Sequence, residues 1–505
     1  MKKLIPIYAL LTAFTILMSV SCNSSDDNDG EPVTVSSNTL ITAFSLTEND
    51  SVIADLDSLQ FTIDVANRVI YNADSLPKGT KINRLVANIT YNSTATGTIK
   101  ISGAETMQDT TYTYSSSNND SIDFTGNVTI TIAAPDGISS KEYRLKVNVH
   151  KVESDSLYWN ELSRRNLPGS SSQTNDQKTV QQGSTLYCMV KNGSTYSVSA
   201  NDEPATNNWD TKTSTFGFTP DLSSFTATDD AFYILSNTKE LYTSTDAATW
   251  TATGASYEAL IGAYENKLLC LSKSGNTYYH EVYSNGTASG KEEIEEDFPI
   301  TGFSQCVAFT NDWSVNHQIL FIGGKLADGS LTGDVWGFDG QSWGKISRIP
   351  VPGRMGATLV HYYNYTGDYY KMTKYPVWLA FGGIGSDGKA TSAVYISYDN
   401  GVTWKLGDDL LQLPDYMGAF SNAQAFVYET TLTRASASGW TSMPSRHLPY
   451  WWTIANSATS TRASQAVTSW QCPYIYVFGG VNANGELEND IWKGVINRLT
   501  FKPII

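Results

Sequence analysis

Aromatic and polar side chains gather in three stretches late in the chain. The first holds Trp313, and the second Tyr365, Asp368, Tyr369, Tyr370 and Tyr375. The third, about residues 429–473, carries Trp440, Arg446, His447, Tyr450, Trp451, Trp452 and Trp470. Aromatic planes flanked by hydrogen-bonding groups suit sugar rings, whose C–H faces stack while their hydroxyls bond. Trp313, Tyr369, Tyr370, Trp440, Tyr450, Trp451, Trp452 and Trp470 are therefore candidate ligand-binding residues. The alternative is that the third stretch folds into a small core of its own and caps the domain beneath it; loops of this length are functional or disordered. Covalent and metal chemistry is harder to assemble. The histidines (His150, His280, His317, His361 and His447) show no ligand spacing, and Cys188, Cys270, Cys306 and Cys472 each sit in an apolar, strand-like run. Nucleotide-binding, nucleophile-elbow and zinc-protease signatures are absent. No catalytic residue, metal ligand or cofactor is expected.

The elements that must position these residues are read from composition first. The 505 residues include 38 Gly, 29 Tyr and 13 Trp, with 17% charged side chains, which points to all-β architecture rich in turns. The length exceeds one ordinary core, so more than one domain is expected. The formal charge of −16 argues against nucleic acid, since phosphate binding depends on Lys and Arg.

The chain opens with Lys2, Lys3 and an apolar run from Leu4 to Val20, a secretory signal too short to span a membrane stably. Ser21-Cys22 resembles a bacterial lipobox, which implies cleavage after residue 21 and lipid on Cys22; the plain alternative is a secretion signal with an incidental cysteine. Residues 22–37 form a polar tether with Asp26, Asp27 and Asp29. That run resembles the export signal that sends Bacteroidetes-type lipoproteins to the outer face of the outer membrane. The acyl chains would then be the only membrane contact.

Repeats organise the second part, about residues 153–505. Ile319 to Gly324 leads to Gly333-Asp334-Val335-Trp336 and then Trp343. Trp378 to Gly383 leads to Val394-Tyr395-Ile396 and Trp404, and Ile475 to Gly480 leads to Asp490-Ile491-Trp492. An apolar strand ending in Gly-Gly, a polar turn, an aromatic-bearing strand and a Trp together resemble the kelch repeat of β-propellers. Weaker copies end at Trp209, Trp250 and Phe298. Six blades follow, with seven as the alternative. Both the strand at Trp159 and the run Arg498-Leu499-Thr500-Phe501 read as the outermost strand of the last blade, and the spacing does not choose between them.

Residues 38–152 alternate in short strands between turns such as Pro77-Lys78-Gly79 and Pro135-Asp136-Gly137, and fit an immunoglobulin-like sandwich of about seven strands. The strings Ile70 to Thr80 and Ser121 to Tyr143, with Val149 and Trp159, are similar to a family of Bacteroidetes lipoproteins. That family joins an Ig-like domain to a propeller of kelch or galactose-oxidase type. The resemblance implies an architecture and no activity. Asp followed by Ser or Thr recurs at Ser51, Ser58, Ser75, Thr110, Ser121 and Ser156, and resembles the O-glycosylation acceptor of the same bacteria; turn chemistry at strand starts accounts for it equally.

Ser397, Asp399, Gly401 and Trp404 match the Asp-box of sialidase-type propellers, a hairpin device rather than a catalytic site. Asp246 with Trp250 and Asp339 with Trp343 are shorter versions. The arginine cluster and tyrosine nucleophile of sialidases, and the copper ligands of galactose oxidase, are not assembled here. The leading expectation is a surface lipoprotein whose propeller binds a glycan or protein partner. The alternatives are a glycan-active enzyme with a propeller-face site, or a structural subunit of a surface complex. Oligomeric state is not legible.

Overall fold

In a computed structural model, residues 35–72, 75–151, 153, 155–310, 317–367, 372–433 and 469–497 are described. The described residues contain strands and three short 3-10 turns but no α-helix, and no helix among them is long and apolar enough to cross a membrane. The chain divides into two compact units, one of residues 1–73 and 81–147, the other of residues 74–80 and 148–505.

The first unit has a three-stranded and a six-stranded sheet. Strands Leu85–Tyr91, Thr96–Ser102 and Asn127–Ala133 alternate buried and exposed residues, the pattern of a half-buried sheet. Phe44 and Phe61, from different sheets, meet at 4.6 Å. Tyr114 ties the sheets by receiving the Ile89 amide at 2.8 Å and donating to the Ala87 carbonyl at 3.1 Å. Val69–Asn72 pairs parallel with Ser140–Lys146, so the larger sheet is mixed.

Among the described residues the second unit has five four-stranded antiparallel meanders, a five-stranded sheet and two two-stranded pairings; the six larger sheets are numbered in chain order. Their first strands are Thr174–Gln182, Pro220–Ala227, Ala259–Tyr264, Val307–Phe309, Thr358–Gly367 and Gln424–Thr433, which begin sheets 1 to 6. Their apolar residues form wedges between consecutive sheets. Met189 and Val198 of sheet 1 pack on Leu222, Phe225 and Ile234 of sheet 2. Phe309, Leu320 and Val335 of sheet 4 meet Leu359, Trp378 and Ala380 of sheet 5. The series closes on itself, since Phe426, Tyr476 and Phe478 of sheet 6 share a cluster with Leu186, Cys188 and Val190 of sheet 1. A ring of sheets with one small core per gap is a β-propeller, and it explains how a unit this long avoids one oversized core.

Closure uses the beginning of the unit. Ser156–Trp159 pairs with Asp490–Asn497 as the outermost strand of sheet 6, in the register Ser156↔Asn497 and Trp159↔Gly494. The strand at Trp159 therefore takes the place that the sequence left open between two candidates; residues 498–505 lie outside the described residues. Trp159, Trp336 and Trp378 are among the largest fully buried side chains, and Phe298 stands in the tryptophan place of sheet 3, 4.8 Å from Trp336 and 5.5 Å from Trp343.

Candidate functional site

The fold brings two places to notice, at opposite ends of the first strands. At the far end, the hairpins of sheets 5 and 6 are long. Thr358–Gly367 pairs with Met372–Phe381, and Gln424–Thr433 with Ser469–Phe478, ten residues in each strand. Pairing in the second hairpin runs on through Glu429↔Pro473 to Thr433↔Ser469, inside the stretch that the sequence sets aside as an insertion. The reason is chemical: Thr430, Thr431 and Thr433 are β-branched and sustain the ladder. The two hairpins are tied side by side. The Tyr362 hydroxyl donates to the Pro473 carbonyl at 3.0 Å, and the Tyr363 hydroxyl to the Glu429 carboxylate. Around their roots lie further aromatics. The Lys493 ammonium sits 3.7 Å above the Tyr474 ring, and the Tyr428 hydroxyl donates to the Ser184 carbonyl of sheet 1 at 2.7 Å. Burial pushes the Tyr362 and Tyr428 phenols up and draws the Lys493 amine down.

Of the candidate ligand-binding residues, Trp313, Tyr369, Tyr370, Trp440, Tyr450, Trp451 and Trp452 lie outside the described residues, as does Cys22. Trp470 lies on the strand Ser469–Phe478, opposite Leu432. What the structure does locate are the strand ends that bear these residues. All three connections join the first and second strands of sheets 4, 5 and 6, which follow one another around the ring.

The second place is the axis, at the level where first strands begin. Gln305, just before the first strand of sheet 4, reaches across and donates from Nε2 to the Ala425 carbonyl of sheet 6 at 2.5 Å, leaving its own buried Oε1 without a hydrogen-bond partner. Beside it the Cys306 thiol lies against sheet 3, 3.3 Å from the Ile261 carbonyl, where Gly262 leaves room: a Cβ there would stand 2.4 Å from the sulfur. Lys178, on the first strand of sheet 1, is half-buried, and Cys306, Asp176 and Asp221 are its electrostatic neighbours. Burial lowers the Lys178 amine from its ordinary value and pushes the Cys306 thiol up to about 12. Sequence reasoning missed this group. One signal was available: Asp176-Gln177-Lys178-Thr179 is polar where the matching strands of sheets 3 and 5 read Leu260-Ile261-Gly262 and Leu359-Val360.

The Asp-box residues fall in one hairpin. Asp399 accepts from the Thr403 amide at 2.9 Å and hydroxyl at 2.6 Å and from the Ser397 hydroxyl at 2.8 Å, while Trp404 Nε1 donates to the Gly401 carbonyl at 3.0 Å. Asp246 and Asp339 receive amides in the same way. The hydroxyl-bearing candidates for modification are scattered. Ser51 and Ser58 are exposed; Ser75, Thr110 and Ser121 are half-buried; Ser156 is buried in the closing strand, where its hydroxyl donates to the Glu153 carbonyl at 2.9 Å. The four cysteines beyond Cys22 are free thiols. Among the described residues no group of three or more His, Cys, Asp or Glu is placed to hold a metal ion.

No curated protein matches the chain in sequence. Among solved structures, YjhT is 12% identical with a TM-score of 0.28, over 64% of this chain and 95% of that one. AofleA from Arthrobotrys oligospora is 10% identical with a TM-score of 0.35, over 68% and 94%. BamB from Moraxella catarrhalis is 11% identical with a TM-score of 0.25, over 66% and 100%. At such scores the likeness assigns no role to any residue here. The family profiles are firmer. Residues 34–147 match the N-terminal domain of a domain of unknown function, DUF6242, and residues 153–504 match the DUF6242 beta propeller domain. Matched in both units and over most of its length, the chain belongs to the DUF6242 family.

Proposed function

We propose that this protein is a lipoprotein of the outer-membrane surface, acylated on Cys22, whose six-bladed, kelch-like propeller binds a glycan or a protein partner without catalysis. The immunoglobulin-like sandwich and the acidic tether would hold that propeller off the membrane. The observation that carries the reading is the placement of the three aromatic-bearing connections. They leave consecutive sheets at one face, and the roots of two are tied together by Tyr362 and Tyr363. Trp313, Tyr369, Tyr370, Trp440, Tyr450, Trp451, Trp452 and Trp470 belong in sequence to these three connections or their strand ends. Of the two partner classes the residue types favour the glycan, since aromatic side chains interspersed with polar ones in sequence match sugar rings.

Affinity electrophoresis through gels holding immobilised polysaccharides tests this with the full chain and a Trp451→Ala, Trp452→Ala variant. Retardation of the wild type, lost in a variant of unchanged melting temperature, is expected. Equal retardation of both, or none of either across a broad polysaccharide panel, would sink the aromatic-platform reading.

A further inference from the structure

Asparagine followed by glycine occurs four times, at Asn192-Gly193, Asn285-Gly286, Asn400-Gly401 and Asn484-Gly485. Such a pair cyclises when the glycine nitrogen, unshielded by any Cβ, reaches the asparagine side-chain carbonyl and neither group is held elsewhere. At three of the pairs the fold holds one or both. The Gly193 amide donates to the Gln173 carbonyl at 3.0 Å. The Asn192 side chain accepts from the Thr174 and Ser171 hydroxyls at 2.5 and 3.1 Å and donates to the Gly169 carbonyl at 2.8 Å. The Gly401 amide donates to the Ser397 hydroxyl at 3.0 Å, and Asn400 Oδ1 accepts from Trp378 Nε1 at 3.2 Å. The Gly485 amide donates to the Asn482 carbonyl at 3.0 Å. Asn285 and Gly286 differ. Both are exposed, and among the described residues neither the Asn285 side chain nor the Gly286 amide makes a hydrogen bond. They form the tip that joins Thr277–Ser284 to Thr287–Glu293, with φ of 50° and 78°. In a two-residue turn of this kind the cross-turn bond uses the amide after the tip and leaves that of the second tip residue outside the ladder. Every residue of the outer strand Thr287–Glu293 is exposed, so the tip opens with little burial lost.

We propose that Asn285-Gly286 is a site of spontaneous succinimide formation, which converts Asn285 to aspartate and isoaspartate with water as the only co-reactant. The Gly286 nitrogen gives its proton to solvent base and attacks Asn285 Cγ. As the new C–N bond closes the ring, the Cγ–Nδ2 bond breaks, and the side-chain amide leaves as ammonia with a proton returned by solvent. Water then adds to either ring carbonyl and opens it. Opening at the backbone carbonyl carries the chain through the side-chain carbon and frees the α-carboxylate; opening at the other restores the backbone with an aspartate. Nothing is oxidised or reduced. In the meander of sheet 3 this tip lies at the same face as the connections between first and second strands. Either product places a new negative charge there, so the charge of that face changes with the age of the molecule.

The test incubates the native full chain at mildly alkaline pH in water enriched in heavy oxygen, then maps peptides by mass with fragmentation that separates isoaspartate from aspartate. Heavy oxygen marks only the sites converted during the incubation. The three held pairs are internal references. One hydrogen bond that must break before ring closure slows the reaction roughly two- to tenfold. Asn285 is therefore expected to lead Asn484 by that factor, and Asn192 and Asn400 by more. In denaturant the bonds are gone, and all four are expected to convert at comparable rates. A native rate at Asn285 no higher than at the other three overturns the proposal. So does a lead that persists unchanged in denaturant, since it would belong to the local sequence and not to the fold. Both comparisons are made within the wild-type chain, so no variant has to fold for the result to count.

Discussion

Ring closure by the Trp159 strand makes a quantitative prediction about two residues that face each other across sheet 6. Trp159 is 1% exposed, meets Phe381 edge-on at 6.1 Å and offers its carbonyl to the Tyr416 hydroxyl at 2.7 Å. Its indole lies over Gly494, where a Cβ would stand 2.5, 2.7 and 2.9 Å from three ring carbons. Trp159→Ala empties this site and should cost about 3–5 kcal/mol, the range for large aromatic truncations. Gly494→Ala drives a methyl into the indole and should cost about 1–3 kcal/mol by overpacking. Gly494 has no positive φ, so alanine carries no backbone penalty there. In the double variant the methyl enters the space the indole has left. Gly494→Ala should then cost close to nothing in the Trp159→Ala background, a favourable coupling of about 1–3 kcal/mol. Guanidinium unfolding followed by circular dichroism gives the cycle, and hydrogen exchange across 490–497 gives the local reading. Penalties that add within about 0.5 kcal/mol would show that indole and glycine do not share this contact, and the closure argument would fail.

Two other predictions concern groups whose surroundings fix their ionisation. The Thr249 amide, then that of Ala248, holds the Asp246 carboxyl at about 2. A carboxyl whose pKa is lower folded than unfolded stabilises fully above its unfolded value near 4, and that contribution disappears as pH falls through about 2. The difference in melting temperature between wild type and Asp246→Asn should therefore shrink from pH 5 to pH 2; a constant difference would contradict the assignment. Burial pushes the Cys188 thiol up to about 12 and the Cys270 thiol well above its ordinary value. Neither should react with an aromatic disulfide reagent at pH 8 in the native protein, and both should react in denaturant without prior reduction. Rapid native labelling of either would show that the sheet wedges are open.

How much was legible depended on whether a residue's role is local. Gly-Gly followed by an aromatic strand and a Trp announces a blade, because turn and pin lie within one repeat; Ile319 to Trp343 carries its own instructions. The Asp-box is local too, and Asp399, Ser397 and Gly401 bond to one another. Closure was not legible. Ser156–Trp159 and Arg498–Phe501 have similar apolar alternation, and what distinguishes the first is Gly494, some 340 residues away, which alone leaves room for an indole. The axis was illegible for the same reason: Gln305 is ordinary in its own segment, and its bond to the Ala425 carbonyl follows only from the ring. In the first unit the parallel pairing of Val69–Asn72 with Ser140–Lys146 is likewise invisible to alternation, which specifies faces and not neighbours.

The two faces of the propeller differ in what they tolerate, and that difference assigns each candidate site its character. At the face where first strands begin, connections between sheets press on the backbone beneath them. A Cβ on Gly323 would stand 2.6 Å from the Arg354 carbonyl, and one on Gly333 only 1.8 Å from that of Val351. Arg354–Met355 pairs there with Ile384–Gly385, and Phe420–Ser421 with Val481–Asn482, while the Gly383 amide donates to the Phe420 carbonyl at 2.8 Å and the Asn422 amide to the Gly356 carbonyl at 2.7 Å, so neighbouring connections are laced together. Insertions at this face would strain these close contacts. At the other face, a connection between the first and second strands closes a hairpin within one sheet and bears no part of the ring. Such hairpins can lengthen freely, and sheets 5 and 6 have done so. From the Ala425 level, where Gln305 crosses the axis, to Thr433 the first strand of sheet 6 rises roughly 25 Å at about 3.3 Å per residue. A ligand held beyond the far ends of these strands would therefore make no demand on the packing around Gln305.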